Sequence, residues 1–328
     1  MRILAVDDDH FIRELLPLVF AEAGIPSIDI AASGSEALEM IREAPKLYEF
    51  LLLDIMMPEM DGIELCQRIR RIPGYRDTPI LMLTAKTDIA SIEQAFAAGA
   101  NDYVTKPFDV KEIANRVHVA QRLFLSAQAT PLLDPHGVTE AAPQVPDFAL
   151  EDSVRLAHTE HMVLPFSLGN YLSQLERNHL GARVVFAARI DHVGPFFASC
   201  TSHEFAIALT EVADALAEVI ACPELLMAYD GNGTFLCITS QDSMPSWPEI
   251  EKSLTKVLQQ SGAVYDDGRS MKITVSVGGP MPPNASRTKR VRKTFDRALD
   301  RIDRRQKLKL QEEAAERATQ RMLKGLTV

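Results

Sequence analysis

Several things this chain has little of narrow its function before any motif is read. Its four cysteines in 328 residues (Cys66, Cys200, Cys222, Cys237) fall in no CxxC or other metal-ligand spacing. That argues against a disulfide framework and a cysteine-based zinc site, and fits a reducing, cytoplasmic setting. No apolar run approaches the ~20 residues a helix needs to cross a bilayer, so no membrane association is expected. The chain opens directly into a short apolar run, so no leader peptide is expected either. His158 and His161 are three apart but have no third ligand nearby, so they predict no metal site.

Positive charge is also scarce, with a net −10, yet it is unevenly spread: −7 over residues 1–125 and +8 over 287–328. The basic run RTKRVRKTFDRALDRIDRRQKLK, residues 287–309, could touch nucleic acid or a membrane surface. No helix-turn-helix pattern accompanies it, so it reads as a solvated helix face and nucleic acid is not an expected partner. The 46% apolar content excludes wholesale disorder, and the length allows two cores.

What is present is concentrated near the start. Ile3 to Val6 run into Asp7-Asp8, Phe50 to Leu53 into Asp54, and Ile80 to Leu83 into Thr84. Short apolar runs of this kind predict buried parallel strands separated by amphipathic helices. Open α/β sheets collect their chemistry at the carboxyl ends of the strands. Asp7, Asp8, Asp54, Thr84 and Lys106 would then share one crevice, where hard oxygen ligands suit Mg²⁺ and a lysine and a hydroxyl suit a phosphoryl group.

The strings ILAVDDDHFIRELL, LLLDIMMPEMDGIELC, PILMLTAK and GANDYVTKPFDVKEI, in that order, resemble a response-regulator receiver domain over residues 1–122. The resemblance implies a doubly wound, five-stranded parallel α/β fold. It makes Asp54 the phospho-acceptor, with a histidine kinase or phosphotransfer protein as partner. Asp7 and Asp8 become an acidic pair holding Mg²⁺ with Asp54 and the Met56 backbone carbonyl. Lys106 would pair with the phosphate, Thr84 would reach for it, and Tyr103 would change rotamer with Thr84. The Lys106–Pro107 bond is expected to be cis. Met56 and Lys86 would flank the site.

The remainder reads as a helical and Pro-rich linker over 123–159, with prolines at 131, 135, 143 and 146. Helices are predicted from about Leu150 to Met162 and from Ser167 to near Gly181. After them come a strand at ARVVFAARI and a helix over Ser202 to Ala221. LLMAYDGNGTFLCIT predicts a hairpin turning at Asp-Gly-Asn-Gly. A helix over Ile250 to Gln260, a strand at MKITVSVGG and a long charged helix complete an α+β layout.

FSLGN, RIDHVGPFF, GNGTF, ITVSVGG and FDRALDRID make residues 160–305 similar to a GGDEF, diguanylate cyclase-like domain, followed by a charged helical extension over 306–328. The chemistry does not carry over with the resemblance. Arg189 stands where the family has its first metal aspartate, and only Asp191 of that pair is kept. In the signature hairpin Gly231, Asn232, Gly233 and Phe235 surround Thr234, which replaces the catalytic glutamate. Gly194, Phe197, Ala206 and Asp303 replace other nucleotide contacts, and Cys222-Pro-Glu-Leu225 replaces the product-binding RxxD. The resemblance therefore implies an output domain that is not an enzyme and that contacts an unknown downstream protein. A homodimer is expected on phosphorylation. The alternatives are a GTP or cyclic di-GMP sensor, or a weak cyclase.

Overall fold

The computed structural model describes residues 2–22, 24–25, 27–85, 89–128, 130–136, 146–157, 159, 161–242, 244–246 and 249–325. Lys86, His158, Pro143 and Leu326 lie outside the described residues. The chain divides into two compact units: residues 1–131 with 161–171, and residues 132–160 with 172–328.

The first unit alternates strand and helix: β1 (Ile3–Val6), α1 (His10–Glu22), β2 (Ile28–Ala31), α2 (Gly34–Glu43), β3 (Phe50–Asp54), α3 (Gly62–Arg70), β4 (Ile80–Thr84), α4 (Ile89–Ala97), β5 (Asp102–Thr105) and α5 (Val110–Gln128). The five strands form one sheet in the order β2-β1-β3-β4-β5, every pair parallel. Side chains alternate across it. Leu4, Val6, Leu51, Leu53, Ile80 and Met82 enter one core, while Ile3, Ala5, Phe50, Leu52, Leu81 and Leu83 enter the other. Continuous apolar strands are what a sheet covered on both faces requires. Helix α5 continues to Gln128, six residues beyond the end assigned to the receiver-like region.

The second unit begins with two short parallel strands, β6 (Leu132–Leu133) and β7 (Arg155–Leu156). Among the described residues, the stretch from Leu150 to Met162 forms no helix. Asp152 accepts from the Ala149 N–H (2.8 Å) and turns the chain, and Ala157 donates to the Leu133 carbonyl (2.9 Å). A local turn closed by the Asp152 side chain, together with strand pairing, thus overrides the helical periodicity. Next comes α6 (Pro165–Gln174), whose first turns cluster with the first unit. It ends earlier than the sequence predicts because the buried Arg290 guanidinium takes the carbonyls of Leu172 (3.2 Å) and Leu175 (2.5 Å).

β8 (Arg183–Ile190), α7 (Val193–Ala198), α8 (Ser202–Ile220), β9 (Leu226–Tyr229), β10 (Thr234–Ser240), α9 (Glu249–Gln260), β11 (Val275–Val277) and α10 (Arg290–Gly325) complete the chain. A reciprocal capping box between Thr201 and Glu204 starts α8. The sheet runs β11-β8-β10-β9, entirely antiparallel. The β9–β10 hairpin turns where the sequence places it, on Gly231, Asn232 and Gly233, all at positive φ. β11 is shorter than MKITVSVGG suggests, because Met271 instead donates to the Ala263 carbonyl (2.8 Å) across the preceding turn. Ala298 and Ile302 bury the predicted stripe of α10, with Ile302 against Gly278.

Candidate functional site

Strand register assembles the first site. Val6 pairs with Leu53, Asp54 with Leu83, and Thr84 with Thr105. Asp7, Asp54, Thr84 and Lys106 therefore all lie where neighbouring strands end. Carboxylate oxygens of Asp7, Asp8 and Asp54 lie within 4.8 Å of one another. Asp7 and Asp54 are buried, while Asp8 is exposed at the mouth. The Lys106 ammonium donates to Asp7 (2.7 Å) and lies 3.0 Å from Asp54.

This cluster has more negative charge than its lysine can balance. Burial pushes the Asp54 carboxyl up to about 6; Lys106 opposes that rise and Asp7 and Asp8 add to it. Burial alone would lower the Lys106 ammonium, but its hydrogen bonds to Asp7 and Asp54 hold it above its usual range. A hard divalent cation fits such a donor set, since three oxygen ligands converge with unbalanced charge. Asp7, Asp8 and Asp54 are the side chains that would hold Mg²⁺. Met56, half exposed two residues past Asp54, lies on the loop that would offer a carbonyl.

Thr84 is buried at the end of β4, and the Lys106 N–H donates to its carbonyl (2.7 Å). Tyr103, on β5, meets the Phe96 ring edge-on at 6.3 Å. The Lys106–Pro107 bond is cis. Gly62 lets the start of α3 approach β3: a Cβ there would lie 2.1 Å from the Asp54 carbonyl oxygen. One residue was missed by sequence reasoning. Arg13 donates to the carbonyls of Asp7 (3.0 Å) and Asp8 (2.6 Å), bracing the acidic loop. Its position in the first turns of α1, just after the aspartate run, is the signal that could have found it.

Comparison with known proteins bears on the first unit. The family model described as "Response regulator receiver domain" matches residues 3–118. The response regulator MprA of Mycobacterium ulcerans is 33% identical over 190 residues, which is 55% of this chain and 77% of that protein. This chain is a response regulator. The transcriptional regulatory protein ResD of Bacillus subtilis is 45% identical over 121 residues, covering 37% of the chain and 48% of ResD. The chain spans about half the length of the first curated relatives it matches. The solved receiver domain of Francisella response regulator 1452 is 32% identical and covers 37% of the chain and 97% of its own, with a TM-score of 0.34.

The second site of this response regulator is arranged differently. Arg189 on β8 faces Thr234 on β10. Its guanidinium donates to the Thr234 hydroxyl (2.6 Å) and to Asp303 on α10 (2.6 Å). Asp191 accepts from Ser276 (2.5 Å) and from Lys309 (2.5 Å), and Lys309 also reaches the Val275 carbonyl (3.1 Å). Each charge here has an opposite charge beside it. A cation placed at Asp191 would have to displace an ammonium and would meet Arg189 close by.

The hairpin turn is also covered. The Asn232 N–H donates to the Leu150 carbonyl (2.7 Å), and a Cβ on Gly231 would meet the Glu151 oxygen at 2.3 Å. Ser153 donates to the Tyr229 carbonyl (3.0 Å). Phe148 is buried against Phe197 (5.6 Å) and Phe205 (6.2 Å). Phe235 is buried edge-on to Tyr229 at 5.5 Å. Sequence reasoning missed Phe148, Ser276 and Lys309. Lys309 sat inside a charged run that looked solvated, and Phe148 inside a segment that looked like a linker.

Proposed function

We propose that the chain works as a phosphorylation-dependent regulator: Asp54 accepts a phosphoryl group from a histidine kinase or phosphotransfer protein, with Mg²⁺ held by Asp7, Asp8 and Asp54. The observation that carries this is the cluster of three carboxylates at adjacent strand ends, with Asp7 and Asp54 buried beside one lysine and Asp8 at the mouth. An Asp54 oxygen attacks phosphorus, and the bond from phosphorus to the donor nitrogen or oxygen breaks. Bound Mg²⁺ supplies positive charge against the repulsion between the carboxylate and the phosphoryl oxygens. Lys106 holds the transferred oxygens from the other side. Thr84 then donates to the phosphate, and Tyr103 turns toward the space that Thr84 leaves.

An apolar stripe on α1, Phe11, Leu15 and Leu18, is exposed at 80%, 43% and 68%. It begins two residues after Asp9, at the mouth of the site, and supplies a docking face for the phosphodonor. Labelling with acetyl phosphate and Mg²⁺ tests the reading. Wild type takes up one phosphoryl group and Asp54→Asn takes up none; persistent labelling of that variant would refute the assignment.

For the second unit, we infer a degenerate GGDEF-like domain that acts by protein contact and forms no nucleotide product. The ion pairs at Arg189 and Asp191, and the 147–153 segment lying over the hairpin, support that reading over the sensor and cyclase alternatives. A second reading comes from the relatives. Some carry names such as "DNA-binding response regulator MtrA", so the expectation that nucleic acid is not a partner finds no support in them. Exposed Arg292, Lys293, Arg297, Arg304 and Lys307 on α10 are the residues that would meet phosphates. Binding to duplex DNA that weakens steeply with salt would favour this reading.

A further inference from the structure

Helix α6 starts after the crossing segment, yet its first turns pack on the first unit. Tyr171 is buried, and its hydroxyl donates to Glu93, a carboxylate on α4 that is 1% exposed. The Tyr171 ring meets Phe96 edge-on at 5.6 Å, and Phe96 in turn meets Tyr103 at 6.3 Å. Asn101, just before β5, donates to the Ser167 hydroxyl (3.4 Å) and accepts from Asn170 (3.4 Å). Ser167 is fully buried. Glu93 and Phe96 lie on the outer helix α4, and a carboxylate buried there is costly unless hydrogen-bonded. This is therefore a specific polar and aromatic contact, centred on the ring next to Tyr103.

The far end of α6 belongs to the second unit, where Arg290 at the start of α10 holds the carbonyls of Leu172 and Leu175. We propose that α6 is a built-in ligand of the α4–β5 face, released when Asp54 is phosphorylated, and that Tyr171 and Glu93 are its positioning residues. The proposal rests on the phospho-acceptor reading above. When Tyr103 turns inward, the edge contact with Phe96 is lost. The Phe96 ring then gains room to shift away from Tyr171, and the Tyr171–Glu93 bond loses its support. Docking and phosphorylation are then two ends of one equilibrium, and each must weaken the other by the same factor.

The test uses the full chain with Mg²⁺ and beryllium fluoride as the phosphoryl analogue. Its binding is followed by fluorine NMR, and amide exchange is followed over residues 92–97 and 166–171. We expect exchange in both segments to quicken at least tenfold on binding. Tyr171→Phe should quicken it without the analogue and tighten analogue binding about fivefold. Glu93→Gln, which keeps an acceptor, should change either quantity less than Glu93→Ala. A helix that only stabilises the fold would leave analogue affinity unmoved. Bound analogue with unchanged exchange, or Tyr171→Phe with unchanged affinity, overturns the proposal. Failure of the analogue to bind at all would instead overturn the phospho-acceptor reading on which it rests.

Discussion

The two polar clusters of this chain are built from the same residue types and balanced in opposite ways. At the strand ends of the first unit, Asp7, Asp8 and Asp54 face the single ammonium of Lys106. In the second unit, Asp191 faces Lys309 and Asp303 faces Arg189. The first cluster has an unbalanced charge that a cation and a phosphoryl group can use. In the second, Lys309 and Arg189 are each already paired with a carboxylate. Only the first brings three acids together among the described residues, and in the second Asp191 and Asp303 each have a cation of their own.

Removing the acceptor is expected to have the largest effect. Asp54→Asn should reduce acetyl-phosphate labelling below detection, whereas Arg189→Ala should leave it unchanged, as read by intact mass. Removing the lysine from each cluster sharpens the contrast. Lys106→Met and Lys309→Met should each lower unfolding free energy by about 2 kcal/mol, since each strands a buried carboxylate. Millimolar Mg²⁺ should restore most of that loss for Lys106→Met and none for Lys309→Met in urea titrations. Equal rescue of both would erase the distinction between the clusters.

The raised Asp54 carboxyl gives two smaller effects. A proton on Asp54 competes with the metal, so Mg²⁺ affinity should weaken as pH falls through about 6, by up to about tenfold per unit. Calorimetric titration from pH 5 to 8 checks this; a flat profile would show that Asp54 is not a ligand. For metal-free stability the sign is the reverse of the usual carboxylate case. The folded carboxyl lies at about 6, above its ordinary 3.8. Its stabilising contribution is therefore full below about pH 4 and lost as pH rises through 6. Asp54→Asn should then be more stable than wild type at pH 7 by about 1 kcal/mol, a gap that closes below pH 4.

The first cluster was legible because it depends on local pattern. Each acid follows a short apolar run, and parallel strands bring such ends together without further information. The β9–β10 hairpin was legible for the same reason, since Asp-Gly-Asn-Gly permits few other conformations. The closure of the second cluster was harder to read. Arg189 announced the loss of a metal ligand, but Lys309 and Ser276 reach Asp191, and Phe148 covers Phe197 and Phe205, from distant segments whose local sequence looks like solvated helix, strand and linker. The α6 contact was hidden in the same way. Phe166, Leu168 and Tyr171 have the spacing of any core-facing helix, and nothing nearby says which unit they pack on. The helix expected from Leu150 to Met162 failed because pairing with β6 and the turn at Asp152 outweigh a weak periodicity.

The most direct test is calorimetric titration of the whole protein with Mg²⁺, and then with GTP and cyclic di-GMP in its presence. The account predicts one Mg²⁺ site, weakened strongly by Asp8→Ala, and no heat from either nucleotide. A second Mg²⁺ that survives Asp8→Ala, or micromolar nucleotide binding, would contradict it, because the Arg189–Asp303 and Lys309–Asp191 pairs would then not be closing the second site.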